Sequence, residues 1–247
     1  MTPTPAQAPS PAQPSSRAPG PARERAARLL LAAFALATAV DLVALLAGTD
    51  AVHTAAKPLL MPLLAAYVAV RGGPRLLTAA LLLGWGGDVL LLFDADVAFL
   101  AGMGSFAAGH VCYLVLFKRT GTSRARGTLL AAAYGVALVT TVALLWPDLP
   151  ADMRGPVAGY SLLLTAMAYG SSRLGRTAGW GGALFLLSDT LIATGVADWP
   201  QLPRPDFWVM LTYAAAQYLL ARGVLGHPLD ARPASAAAYR EGRTTIT

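Results

Sequence analysis

Charge is what this chain of 247 residues has least of. Asp, Glu, Lys and Arg together make up 13% of it, against 55% hydrophobic residues, and the mean hydropathy is +0.53. An ordinary soluble domain carries about 25% charged residues, so that class is excluded. Cysteine occurs once, at Cys112, which rules out an intramolecular disulfide and any zinc site built from several cysteines. Histidine is nearly as scarce: His53 falls in an outer loop, His110 within an apolar run and His227 in the tail. Three such scattered rings do not make a zinc site. The net charge of +6 sits in short basic clusters between apolar runs, without the basic, aromatic-interleaved stripe of a nucleic-acid binder. The bilayer is the partner this composition calls for, and nothing in it demands a cofactor.

What is present is apolar sequence in eight blocks. Residues 1–22 hold seven prolines among Ala, Ser, Thr and Gln, a composition that buries too little apolar surface to fold. The division that follows is a disordered tail over 1–25, a transmembrane domain over 26–225 and a polar tail over 226–247. Inside the domain the apolar runs are 29–47, 55–70, 76–93, 97–117, 127–146, 157–172, 177–196 and 206–224. The first is too long for the core of a signal peptide and lacks a small-residue cleavage site. The pattern predicts an all-α integral membrane protein, a bundle of eight transmembrane helices.

The connections alternate in charge. Arg and Lys gather in the N-terminal tail, at Arg71 and Arg75, at Lys118, Arg119, Arg124 and Arg126, at Arg173 and Arg176, and in the C-terminal tail. The other loops carry Asp50, Asp94, Asp96, Asp148, Asp152, Asp198 and Asp206. Basic loops stay in the cytoplasm, so both termini are expected there, with Trp146, Trp199 and Trp208 anchoring the outer interface.

Two acids break the apolar blocks. Asp88 lies in LLLGWGGDVLLL and Asp189 in GGALFLLSDTLIA. A carboxylate near the centre of a bilayer costs roughly 3 kcal/mol and faces the bundle interior or an aqueous cavity. Asp88 is thirteen positions after Arg75 and Asp189 thirteen after Arg176, about 20 Å along each helix at 1.5 Å per residue, so the two share one depth. Glycines precede both, and a leucine stands two residues after each, a similarity consistent with a four-plus-four parallel repeat. Asp41, one turn from Thr38, adds a polar patch to the first helix as a supporting partner. Gly102, Phe106, His110 and Tyr113 fall on one helix face, as do Ser161, Thr165 and Tyr169 on another, and Tyr213 and Gln217 are four apart.

In this order, KPLLMPLL at 57–64, GGD ending at Asp88, GHVCY at 109–113, GGALFLLSD ending at Asp189 and YAAAQ at 213–217 resemble the YhhN-type membrane proteins that include the lysoplasmalogenases. The resemblance implies an eight-helix intramembrane hydrolase. Such an enzyme cleaves the vinyl ether bond of a lysoplasmalogen to a fatty aldehyde and glycerophosphoethanolamine or glycerophosphocholine. It also implies that Asp88 and Asp189 are catalytic. The chemistry suits them: protonating the alkene carbon distal to oxygen gives an oxocarbenium ion that water attacks, and two carboxylates held close in a dry site resist ionising together. Lys57, His110, Tyr113, Tyr213, Gln217 and Ser188 are the candidates for orienting the pair, holding water or binding the lysophospholipid, with Lys57 first for the phosphate. The two lysines against seventeen arginines, with abundant alanine, point to a GC-rich bacterial gene and so to a bacterial plasma membrane.

Plainer readings stand beside these. Interhelical hydrogen bonds account for His110 and Tyr113 equally well, snorkelling accounts for Lys57, and close helix packing accounts for the glycines. An intramembrane aspartyl protease is disfavoured because the glycine usual three residues before its second Asp is absent, Trp85 and Leu186 occupying the corresponding places. A proton-coupled transporter is the strongest alternative, since paired midplane acids and a repeat suit it too.

Overall fold

A computed structural model describes residues 20–120 and 127–227. The proline-rich tail up to residue 19, the basic connector carrying Arg124 and Arg126, and the polar tail from residue 228 lie outside the described residues. Within them the chain is helical throughout, with no strand: α1 (Pro21–Ala47), α2 (Asp50–Val70), α3 (Arg75–Leu90), α4 (Asp96–Thr120), α5 (Gly127–Leu145), α6 (Arg154–Ser172), α7 (Arg176–Val196) and α8 (Pro205–Leu225). Each covers one of the eight apolar runs. Five of them, α1, α2, α4, α5 and α7, are long and apolar enough to cross a membrane.

The ends depart from the hydropathy pattern where capping chemistry overrides it. α1 begins eight residues before its apolar run because Pro21 suits a first helical position; it stops where Gly48, at φ 71°, closes the last turn on the Ala44 carbonyl. α2 begins at Asp50, so His53 is helical and not in a loop as its polar neighbours imply. α3 is shorter than expected. Its last turn closes with Leu91 N–H on the Gly87 carbonyl, and Leu92 and Phe93 continue in tight turns on Val89 and Leu90. Asp88 is therefore in the final turn of α3 instead of near the middle of a span.

Helix pairs α1 with α2, α3 with α4 and α7 with α8 make the most extensive contacts, and α5 is held chiefly by α6. Glycine sets the closeness of several of these contacts. A methyl at Gly223 would come within 2.8 Å of the Ala178 backbone nitrogen, and one at Gly182 within 2.9 Å of the Ala168 Cα; small residues at such crossings let backbones approach and gain dispersion contacts. The core is apolar, with Leu60, Leu64, Leu81, Met167 and Leu220 fully buried. The outside is apolar too: Leu36, Val43, Leu129, Val136, Val139 and Trp180 are two-thirds exposed or nearly so, and of α5 only Leu145 is buried. So much exposed hydrocarbon around a hydrogen-bonded interior is the surface of a protein solvated by lipid.

Candidate active site

Five helices, α3, α4, α6, α7 and α8, bring the polar groups together, and α4 is where both hydrogen-bonded chains begin. Gly102, Phe106, His110 and Tyr113 are all buried on one face of α4, as their spacing predicts. From Tyr113 a directed chain of hydrogen bonds runs to the first acid. The Tyr113 hydroxyl donates to Gln217 Oε1 at 2.7 Å, Gln217 Nε2 donates to the Tyr213 oxygen at 3.3 Å, and the Tyr213 hydroxyl donates to Asp88 Oδ2 at 2.9 Å. Every donor in that chain points toward the carboxylate, so each bond polarises the next.

A second chain starts one turn earlier. His110 Nε2 lies 3.0 Å from the Tyr160 oxygen, and the Tyr160 hydroxyl donates to Asp189 Oδ2. With the tyrosine proton committed to Asp189, the neutral ring donates from Nε2, an assignment inferred from the network. His110 Nδ1 is then buried without a partner.

The two chains pack against each other through aromatic rings. Phe185 meets His110 edge-on at 4.8 Å and Tyr213 at 5.4 Å, and Phe106 meets Tyr213 at 5.9 Å. Gly84 and Gly87 make this packing possible. A methyl at Gly84 would press on Tyr213 and Gln217 at 3.1 Å, and one at Gly87 would overlap the Phe106 ring at 2.4 Å.

The acids differ in what they face. Asp88 is 2% exposed, and its Oδ2 is covered by the Tyr213 hydroxyl. Asp189 lies on the wall of a cavity of about 310 Å³ between α4, α5, α6 and α7. Tyr160, Phe106 and Thr165 line the same space, and the Thr165 hydroxyl is buried and unpaired.

The remaining candidates have separate places. Lys57 is half-buried on α2, with Trp85 closing over its neighbour through a 2.9 Å bond to the Pro58 carbonyl. Ser188, beside Asp189, turns away and donates to the Val209 carbonyl of α8 at 3.1 Å. Asp41 does not pair with Thr38, which bonds its own helix at the Phe34 carbonyl. It is fully buried and takes His53 Nδ1 at 2.8 Å. Tyr169 also leaves the site, since its hydroxyl reaches the Gly127 carbonyl of α5.

Tyr160 and Phe185 escape a reading of the sequence. The polar stripe Ser161, Thr165 and Tyr169 draws attention on α6, but of the three only Thr165 is buried, beside Val157, Leu164, Met167, Ala168 and Ser171. Tyr160 falls into the three-and-four register of that buried set, and this was its only signal.

The sequence pattern of the YhhN family matches residues 52–224. The chain belongs to the YhhN family. Both acids, both hydrogen-bonded chains and Lys57 lie inside the matched region, and Asp41 lies before it. Named relatives include the human lysoplasmalogenase TMEM86B, 36% identical over 158 residues, or 64% of this chain and 67% of the relative. The pig protein of the same name is 38% identical over 62% of this chain and 64% of its own length. A lysoplasmalogenase of Mycobacterium tuberculosis is 32% identical over 60% of each chain. No solved structure matches this YhhN protein.

Proposed function

We propose that this protein is a lysoplasmalogenase that hydrolyses the vinyl ether bond of a lysophospholipid inside the membrane, with Asp88 and Asp189 as its acid–base pair. The observation that carries the reading is the pair of carboxylates, each headed by a tyrosine, in a YhhN chain whose named relatives are lysoplasmalogenases. A purely structural role fits poorly. An interhelical hydrogen bond in a bilayer contributes on the order of 1 kcal/mol, and one such bond per acid does not offset the roughly 3 kcal/mol that a carboxylate costs there.

Asp189, on the cavity wall, is the acid that touches the substrate. It delivers a proton to the alkene carbon distal to the ether oxygen, and positive charge develops on the carbon bonded to that oxygen. Water adds to this carbon and gives up a proton to the carboxylate pair, and the hemiacetal collapses to aldehyde and alcohol. The protons balance, so the enzyme ends as it began. Asp88, sealed behind Tyr213 and Phe106, supplies the negative field that stabilises the cation as it forms, an electrostatic contribution of the kind fixed groups make best in a dry site. Tyr160 fixes Asp189, and His110 fixes Tyr160. Tyr113, Gln217 and Tyr213 fix Asp88, Lys57 receives the phosphate, and Ser188 and Asp41 hold the surrounding helices.

All eight helices span the membrane in this reading, with the basic ends and both termini cytoplasmic, and the plasma membrane is the site of action. The division into a tail over 1–25, a membrane domain over 26–225 and a tail over 226–247 belongs to the same picture. α3 and α7 each make their most extensive contacts with the next helix, and each carries its acid thirteen residues after the arginine that opens it, which is the support for the four-plus-four repeat.

The test is hydrolysis of a defined lysoplasmalogen by the purified protein in deuterated buffer. The expected product is an aldehyde with one deuterium on the carbon next to the carbonyl, since that carbon receives the proton. Proteoliposomes that pass protons or solutes but release no aldehyde would favour the transporter.

A further inference from the structure

The cavity beside Asp189 has an occupant that its lining identifies. We propose that it holds the alkenyl chain of the lysolipid, and that the chain slides in sideways from the bilayer past α5. This rests on the lysoplasmalogenase reading and goes beyond it, because it fixes which part of the substrate goes where and by what route.

The walls argue for a hydrocarbon. Phe99 and Met103 of α4, Leu138 of α5, Leu164 of α6 and Ile192 of α7 face the space, and among its described lining residues there is no cation to hold a phosphate. Its one acid is Asp189, with the hydroxyls of Tyr160, Ser161, Thr165, Thr141 and Thr190 around the wall. An apolar cavity of this volume with a few convergent polar groups is the usual form of a small-molecule site. Its shape favours a chain. The lining runs along α7 from Ala183 to Val196, about 20 Å at 1.5 Å per residue, so it is a trough on the scale of an extended fatty chain.

The route follows from the way α5 is held. α5 contacts α6, barely touches α7, and buries only Leu145 at its end. Ala137 and Thr141 nevertheless line the cavity, so one thin, lipid-facing helix separates the trough from hydrocarbon. A chain that moves from lipid to trough past this helix leaves one apolar medium for another and pays no desolvation. The head group has no such route through the wall. The vinyl ether therefore stops at Asp189 with the chain in the trough and the glycerophosphate directed away from it.

The test compares the long-chain octadecenyl and short-chain hexenyl vinyl-ether lysophosphatidylethanolamines as substrates. Ala137→Trp puts an indole at the mouth, and Val136→Trp puts one on the next position of α5, outside the trough. In Ala137→Trp the ratio of kcat/KM for the long over the short substrate is expected to fall about tenfold or more, the scale on which apolar pockets discriminate chain size, whereas Val136→Trp keeps the wild-type ratio. An unchanged ratio in Ala137→Trp, or an equal fall in both variants, overturns the proposal. A second arm needs no turnover: a saturated alkyl-ether lysolipid with a diazirine midway along its chain is photolysed with wild-type protein. Labelling within 99–106, 137–141, 157–165 or 183–196 supports the chain site, and labelling confined to other segments overturns it. Should wild type cleave neither substrate, the catalytic reading fails while this second arm still decides the chain site.

Discussion

Tyr160 touches Asp189 and His110 at once, so removing its hydroxyl leaves a carboxylate and an imidazole unheld in one stroke. Tyr160→Phe should lower kcat on the order of a hundredfold, the usual cost of a misplaced catalytic group, with KM nearly unchanged. Steady-state kinetics on a lysoplasmalogen separate the two. A loss confined to yield or melting temperature would make Tyr160 a packing residue. Lys57 calls for the opposite signature. If it holds the phosphate, Lys57→Gln raises KM by about tenfold or more, as loss of a charged partner does, and leaves kcat little altered; a fall in kcat alone would instead make it the counter-charge of Asp88. His53 and Asp41 form a partly buried pair of their own, apart from both tyrosine-headed chains.

At the scale of the helix, the site depends on how closely neighbours approach. Gly223→Ala forces a methyl against the backbone of Ala178, whereas Gly135 on α5 has open space around it. Overpacking costs about 1–3 kcal/mol, so Gly223→Ala should lower the melting temperature in detergent by several degrees and Gly135→Ala should not. Equal melting temperatures would mean that α7 and α8 slide apart freely. The existence and order of the helices were legible because each is a long apolar run between charged or glycine- and proline-rich connections. Their ends were not, since caps and first-turn residues such as Pro21 and Asp50 extend helices beyond the apolar stretch. The acids were legible as charge where charge is costly. Tyr160 and Phe185 were not, because an aromatic residue in a helix register looks the same whether it packs on lipid, core or carboxylate. The pairing of Asp41 with His53 was hidden for a related reason: it depends on the α1–α2 turn bringing residues 12 apart face to face.

For the whole molecule, the charge map and the depth of the site make a single statement about orientation. In the proposed topology the ends that carry Arg75 and Arg176 face the cytoplasm, which would put Asp88 and Asp189, about 20 Å along α3 and α7, in the outer half of the bilayer. Only one native cysteine, Cys112, has to be removed. In a Cys112→Ala background, Asp152→Cys should react with a membrane-impermeant maleimide on intact cells, and Arg173→Cys should react only after permeabilisation; the reverse pattern would invert the topology. The central claim, that two carboxylates on separate helices cleave a vinyl ether, is met most directly by aldehyde release from a lysoplasmalogen with Asp88→Asn and Asp189→Asn beside wild type, all confirmed as folded by their elution and melting profiles. The account predicts release by wild type and a loss of at least about a hundredfold in each variant, the lower bound both for a group that transfers a proton in the transition state and for one that stabilises its charge. Release that survives either substitution would remove that aspartate from the chemistry and contradict the pair.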